Sequence, residues 1–198
     1  MGVFWRPSFN KGDIMQRINT LSTSTLIIAT FITVMVILGF STVMATQIEP
    51  MPIKVSYHDL SPKAKQQVEC LAQNMYFESG HESEEGQIAV GMVTMNRVKS
   101  GFYPSTVCGV VKQKIEDTCQ FSWYCDGKFD VKSLTHFNNL LYNNIRELAV
   151  YVYINHDRIE DPSQGALFYH ADYVKPGWKN MVYLTTIGRH KFYNKKDS

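Results

Sequence analysis

The sequence predicts an α+β fold, mostly helical with a small late β-sheet, preceded by an N-terminal transmembrane helix. Three observations carry that expectation. Apolar residues recur at helical spacing in three stretches between Ser61 and Ile154. After Asp161-Pro162 the pattern changes to short strand-like runs separated by a turn. Near the start, no charged residue occurs from Ile18 to Ile48. The length of 198 residues allows one ordinary domain plus a short appendage. With 19% charged and 13% aromatic residues, the chain is not disordered. A net charge of +2 excludes a strongly basic nucleic-acid binder.

The elements follow in order. Residues 1–20 form a short cytoplasmic segment, in which Arg6, Lys11 and Arg17 face one acid, Asp13. That bias holds the N-terminus inside and sends the rest across. Residues 21–45 are the membrane segment, with its apolar centre from Leu26 to Ala45. Twenty helical residues reach about 30 Å, the thickness of the hydrocarbon core. The same segment has the small residues of a cleavable signal at Val43-Met44-Ala45, so anchor and signal peptide both remain open. The chain beyond it is exported, and balances 17 basic against 17 acidic residues. Residues 46–60, with Glu49-Pro50-Met51-Pro52, read as an extended linker. The domain proper is 61–198.

Ser61-Pro62 is an N-cap with Pro at the first helical position. Val68, Leu71, Ala72 and Met75 continue that helix, and Gly80 ends it. A second helix runs from about Glu85 to Lys99 and contains Gly86 and Gly91, which suggest close packing. A short segment at Ser105–Lys112 and a Cys-rich loop to Lys128 follow. A third helix covers about Ser133 to Ile154. Ala166–Tyr169 and Tyr183–Ile187 are the expected strands, with Pro176-Gly177 turning between them.

Cys70, Cys108, Cys119 and Cys125 all lie beyond the membrane segment. An oxidising compartment makes two disulfides the expectation, and sequence does not choose among the three pairings. No C-x2-C or H-x3-H pair is present, so no metal site is expected. The same crowding argues against a cysteine nucleophile. No G-x-S-x-G elbow supports a serine hydrolase.

One stretch concentrates charge. Tyr76 to Gln87 packs Glu78, Glu82, Glu84 and Glu85 between two apolar helices. Such a run is ordinarily a solvated loop. Glu78 differs, because it ends an apolar face just after Tyr76 and Phe77. A carboxyl half-buried against aromatics has a raised pKa and keeps its proton, as a general acid requires. Glu82, Glu84 and Glu85 read as solvated and ionised.

These residues resemble the SleB/CwlJ-type cell wall hydrolases, enzymes named for degrading spore cortex. The resemblance rests on Tyr76, Glu78, Glu82, Glu85-Gly86-Gln87, Ala89-Val90, Val93 and Asn96-Arg97-Val98. It continues through Pro104, Val107-Cys108-Gly109-Val110-Val111 and Gln113 to the loop Gln120-Phe121-Ser122-Trp123. It ends with Gly165 to His170 and Thr186 to Tyr193, covering about 66–193. The chain departs from the pattern at Ser79-Gly80-His81, where the family usually has Ala-Arg-Gly. His81 reads as a solvated loop residue rather than a substitute cation.

The resemblance implies a catalytic domain related to lysozyme and lytic transglycosylases, acting on peptidoglycan glycan strands. It maps the catalytic acid onto Glu78. A lytic transglycosylase needs that one carboxyl, whereas a muramidase-type hydrolase needs a second. Glu82 is the nearest second carboxylate, and a structural role for it stands beside the catalytic one. Gln120, Ser122 and Tyr169 are expected in the substrate cleft, where amides and hydroxyls orient sugars. Trp123 reads equally as a sugar platform or as a core residue. Asn96-Arg97 brace the site from behind. No cofactor is implied, and the partners are peptidoglycan and, through residues 21–45, the membrane. A wall-binding module with a degenerate site is the non-enzymatic rival. Growth, germination and phage lysis, as an endolysin, all remain open as uses.

Overall fold

The computed structural model describes Ile28, Phe31, residues 51–126 and residues 135–196. Residues 1–20, and all of 21–45 except Ile28 and Phe31, lie outside the described residues, so the expected membrane segment lies outside them too. Ile28 and Phe31 are helical and exposed. No helix among the described residues is long and apolar enough to cross a membrane. The chain divides between Glu49 and Pro50, inside the expected linker.

A 3-10 turn at Tyr57–Asp59 leads into α1 (Pro62–Ser79), then α2 (Glu84–Ser100) and the short α3 (Val107–Val111). A two-residue hairpin pairs β1 (Lys114–Ile115) with β2 (Thr118–Cys119). The single turn α4 (Ser122–Cys125) and the long α5 (His136–Asn155) follow. The chain closes with β3 (Phe168–Ala171), β4 (Met181–Ile187) and β5 (His190–Lys195), antiparallel in the order β3-β5-β4.

Local chemistry sets the helix ends. Ser61, Ser83, Thr106 and Thr135 each cap a helix by accepting a backbone N–H two or three residues into it. Gly101 ends α2 in the left-handed region at φ 74°. Gly80 is required where α1 stops, because a Cβ there would run into the Tyr76 carbonyl.

α2 is buried on two sides, which explains why it lacks a polar face. Met92 and Met95 pack into the main core with Leu71, Met75, Tyr142, Ile145 and Val152. Ala89, Val90 and Val93 turn the other way, onto Ala166, Ile187 and Phe192 beneath the sheet. Gly91 permits the close approach of α1 and α5. A Cβ there would lie 3.0 Å from Met75 Sδ and 3.4 Å from Val152 Cγ1.

Three expectations are corrected. The first strand begins at Phe168 rather than Ala166, because Asp161 gathers Ser163 and Gly165 into a turn first. The sheet has a third strand, β5, and it is central. Its polar residues His190, Lys191, Asn194 and Lys195 hide the alternation that buries His190 and Phe192. Part of the expected linker is packed onto the domain. Asn155 accepts from the Ile53 N–H at 2.6 Å and donates to its carbonyl at 2.9 Å, and Leu60 is buried.

The disulfides are Cys70–Cys108 and Cys119–Cys125. The first ties α1 to α3 across 38 residues, and the second closes the loop around α4. Replacing Cys70 and Cys108 together by Ser is predicted to cost about 3 kcal/mol through the entropy of the longer open loop. Urea unfolding of the oxidised parent and the double variant measures it. An unchanged midpoint contradicts the role given to this bridge.

Candidate active site

The candidate site forms where the last turn of α1 meets the inner face of β3. Glu78 lies in that turn and is half-buried. Tyr169 on β3 donates its hydroxyl to Glu78 Oε2 at 3.2 Å. Tyr169 is itself held by rings. His190 stands edge-on to it at 5.5 Å, and Phe192 is tilted against it at 5.9 Å.

The third member is Arg97, only 4% exposed near the end of α2. Its Nε donates to the Leu167 carbonyl at 2.8 Å. Its guanidinium carbon lies 5.2 Å from the Tyr103 ring centre and 5.5 Å from that of Phe121. Its Nη1 is buried without a protein acceptor among the described residues. The sequence gives Arg97 a bracing role and reads His81 as a solvated loop residue, leaving the family's cation beside Glu78 without a replacement. The structure leaves His81 exposed and puts Arg97 within electrostatic reach of Glu78.

These surroundings set the protonation of Glu78. Burial raises its pKa from the ordinary 4.5 by penalising the charged form. The Tyr169 hydrogen bond and the Arg97 charge oppose that rise without cancelling it. Burial also lowers the pKa of Arg97 and raises that of Tyr169 well above 10.0. His190 is lowered, again chiefly by burial, which favours a neutral ring beside Tyr169.

The loop after Glu78 is fixed at several points. Gln87 donates to the carbonyls of Gly80, at 3.3 Å, and Glu82, at 3.2 Å. Glu82 Oε2 accepts from the Arg189 N–H at 3.1 Å, where β4 turns into β5. A Cβ at Gly188 would collide with that same oxygen. Glu82 thus clasps the hairpin. Glu84 and Glu85 lie exposed in the first turn of α2, where acids suit the helix dipole.

The other expected site residues are dispersed. Trp123 is 7% exposed and stacks on Phe77 at 4.7 Å and 14°, so its ring is part of the core. Ser122 is exposed at the start of α4. Gln120 is half-buried, with its N–H bonded to the Gln113 carbonyl. The structure brings Glu78 and Tyr169 together, adds Arg97 to them, and keeps Glu82 on the hairpin.

A stability test follows from the raised Glu78. Its proton is held more tightly in the folded chain than in the unfolded one. The stability this contributes is complete below the ordinary carboxylate range and is lost as pH rises through the folded pKa. Glu78→Gln cannot lose it. The variant should therefore gain on the parent between pH 4 and pH 8, as read by denaturant unfolding at both values. A difference that is constant, or that shrinks over this interval, contradicts the raised pKa.

The chain is similar to several known proteins. A family model described as Cell Wall Hydrolase matches residues 81–193, beginning just after Glu78. The spore cortex-lytic enzyme of Oceanobacillus iheyensis is 32% identical over 127 residues, covering 63% of this chain and 40% of the relative. That of Bacillus subtilis is 28% identical over 127 residues, covering 63% and 36%. The chain thus spans two fifths or less of the length of these curated relatives. Among solved structures, the catalytic domain of the Bacillus cereus SleB protein is 30% identical at a TM-score of 0.51, with 66% of this chain and 91% of that one covered. The catalytic domain of the germination-specific lytic transglycosylase SleB from Bacillus anthracis is 29% identical at a TM-score of 0.51, covering 69% and 98%. Over more than half its length, and with the same helix-rich α+β fold, the chain belongs to the cell wall hydrolase family.

Proposed function

We propose that this chain cleaves peptidoglycan glycan strands between N-acetylmuramic acid and N-acetylglucosamine, with Glu78 as general acid and then base. The observation that carries this reading is the half-buried Glu78 carboxyl with its raised pKa, held by Tyr169 beside a buried Arg97. Glu78 gives its proton to the glycosidic oxygen as the bond to the muramic acid carbon breaks. Positive charge spreads over that carbon and the ring oxygen. The Glu78 carboxylate left behind is stabilised by the Tyr169 hydroxyl and the Arg97 charge.

The second half of the reaction is a lytic transglycosylation. The sugar's own C6 hydroxyl attacks the cationic carbon, and Glu78 takes back the hydroxyl proton. A 1,6-anhydro ring forms without water. This outcome is favoured over hydrolysis because Glu82, the nearest second carboxylate in sequence, is engaged with the backbone of Arg189. It also agrees with the name carried by the Bacillus anthracis relative. Gln120 and Ser122 serve as cleft residues in this reading. Trp123 supports the site from the core through Phe77.

Residues 21–45 carry the domain out of the cytoplasm, as an uncleaved anchor or as a signal, and residues 61–198 form the catalytic domain. The two disulfides fit an oxidising exterior.

Mass spectrometry of sugars released from purified peptidoglycan by the full chain and by Glu78→Gln tests the proposal. The parent should release products ending in 1,6-anhydro-muramic acid, and the variant should lose at least about a hundredfold in rate. Reducing-end products would transfer the role of activating water to a second carboxylate. Equal release by parent and variant would remove Glu78 from the chemistry. Binding without any release would leave a wall-binding module.

A further inference from the structure

The outer face of the three-stranded sheet carries a groove that the chemistry above does not use. Strand alternation sends Tyr169 inward to Glu78 and its neighbour His170 to the opposite face. There His170 stacks on Tyr193 at 5.2 Å and 16°, with its Nε2 3.2 Å from the Tyr193 hydroxyl. Trp178 stands across both rings, at 75° to His170 and 83° to Tyr193. With Val174, Lys175 and Lys191 these rings line a concavity of about 300 Å³. Trp178 remains 43% exposed.

Charge around the groove is one-sided. Residues 168–196 hold six Lys and Arg against one acid, whereas the whole chain beyond residue 45 is balanced. That acid, Asp172, also lines the groove and lies 3.8 Å from Arg189 Nε, so it is partly offset. Aromatic faces and lysines together suit a ligand with an apolar ring face and an attached carboxylate.

We propose that this groove is a second glycan-binding site, taking a sugar ring of a peptidoglycan strand against Trp178 and the carboxylates of its stem peptide against Lys175 and Lys191. The proposal rests on the peptidoglycan reading above. The groove and Glu78 face opposite sides of the sheet, so the strand held here is not the one being cut. A second strand gripped in this way keeps the enzyme on an insoluble meshwork between cleavages. Trp178 is braced edge-to-face by Phe168, His170 and Tyr193. Such bracing favours a rigid ring as ligand over a fluid lipid surface.

Sedimentation of the full chain with purified peptidoglycan stripped of teichoic acid tests the site. Trp178→Ala and Lys175→Glu should each weaken binding about tenfold, and Lys175→Arg should restore it. Capping the stem-peptide carboxylates as neutral methylamides by carbodiimide coupling, which leaves the meshwork cross-linked and insoluble, should weaken the parent as much as Lys175→Glu does. Lys175 is exposed on a loop, so an unchanged melting temperature for Lys175→Glu separates lost binding from lost fold. Parent-like binding by Trp178→Ala and Lys175→Glu overturns the proposal. So does a loss confined to phosphatidylglycerol vesicles, which would make the face a membrane contact, or to wall retaining teichoic acid, which would make its ligand a phosphate. Muropeptide release by the parent, read in the same samples, judges the peptidoglycan reading separately.

Discussion

The site depends on how the end of α2 grips the chain leading into β3. Asn96 donates to Asp161 Oδ2 at 2.8 Å and to the Ala166 carbonyl at 3.2 Å. Arg97 holds the next carbonyl, Leu167. Asp161 in turn binds the N–H groups of Ser163 and Gly165. These bonds fix the entry to β3, and Tyr169 sits two residues beyond the last of them. This grip works with the His190 and Phe192 rings and the pairing of β3 with β5 to hold the Tyr169 hydroxyl against Glu78.

Arg97 therefore acts twice. Its Nε sets position, and its charge acts on Glu78. Burying a guanidinium is costly unless it is partnered. Here the partners are a carbonyl, two aromatic rings and the carboxyl it tunes. The outcome is a balance. Burial favours the protonated Glu78, while Tyr169 and Arg97 keep the ionised form accessible. In the proposed reaction Glu78 gives a proton and then takes one back, which needs both states within reach.

Much of this was legible in the residues. Ser61-Pro62, the spacing of α1 and the position of Glu78 after two aromatics pointed to a half-buried carboxyl at a helix end. Gly91 signalled the close packing that the structure shows against Met75 and Val152. Other features depend on contacts distant in sequence. Glu82 meets a hairpin 107 residues away, and Arg97 meets Leu167 across 70. β5 escaped because polar His190 takes a buried position while aromatic Tyr193 lies on the outer face, so the apolar alternation does not show in the residues. The disulfide pairing required the fold, since spacing alone leaves three choices. Trp123 fits two roles in the sequence, and its stacking on Phe77 places it in the core.

The central claim is that the fold holds the proton on Glu78 above the ordinary carboxylate range. Carbon-13 NMR titration of the Glu78 side-chain carboxyl in the intact chain measures this directly, with Glu78→Gln identifying the resonance. The account predicts a midpoint displaced upward from the ordinary 4.5. A Glu78 midpoint at or below the ordinary value would contradict it, because burial would then have lost to Tyr169 and Arg97.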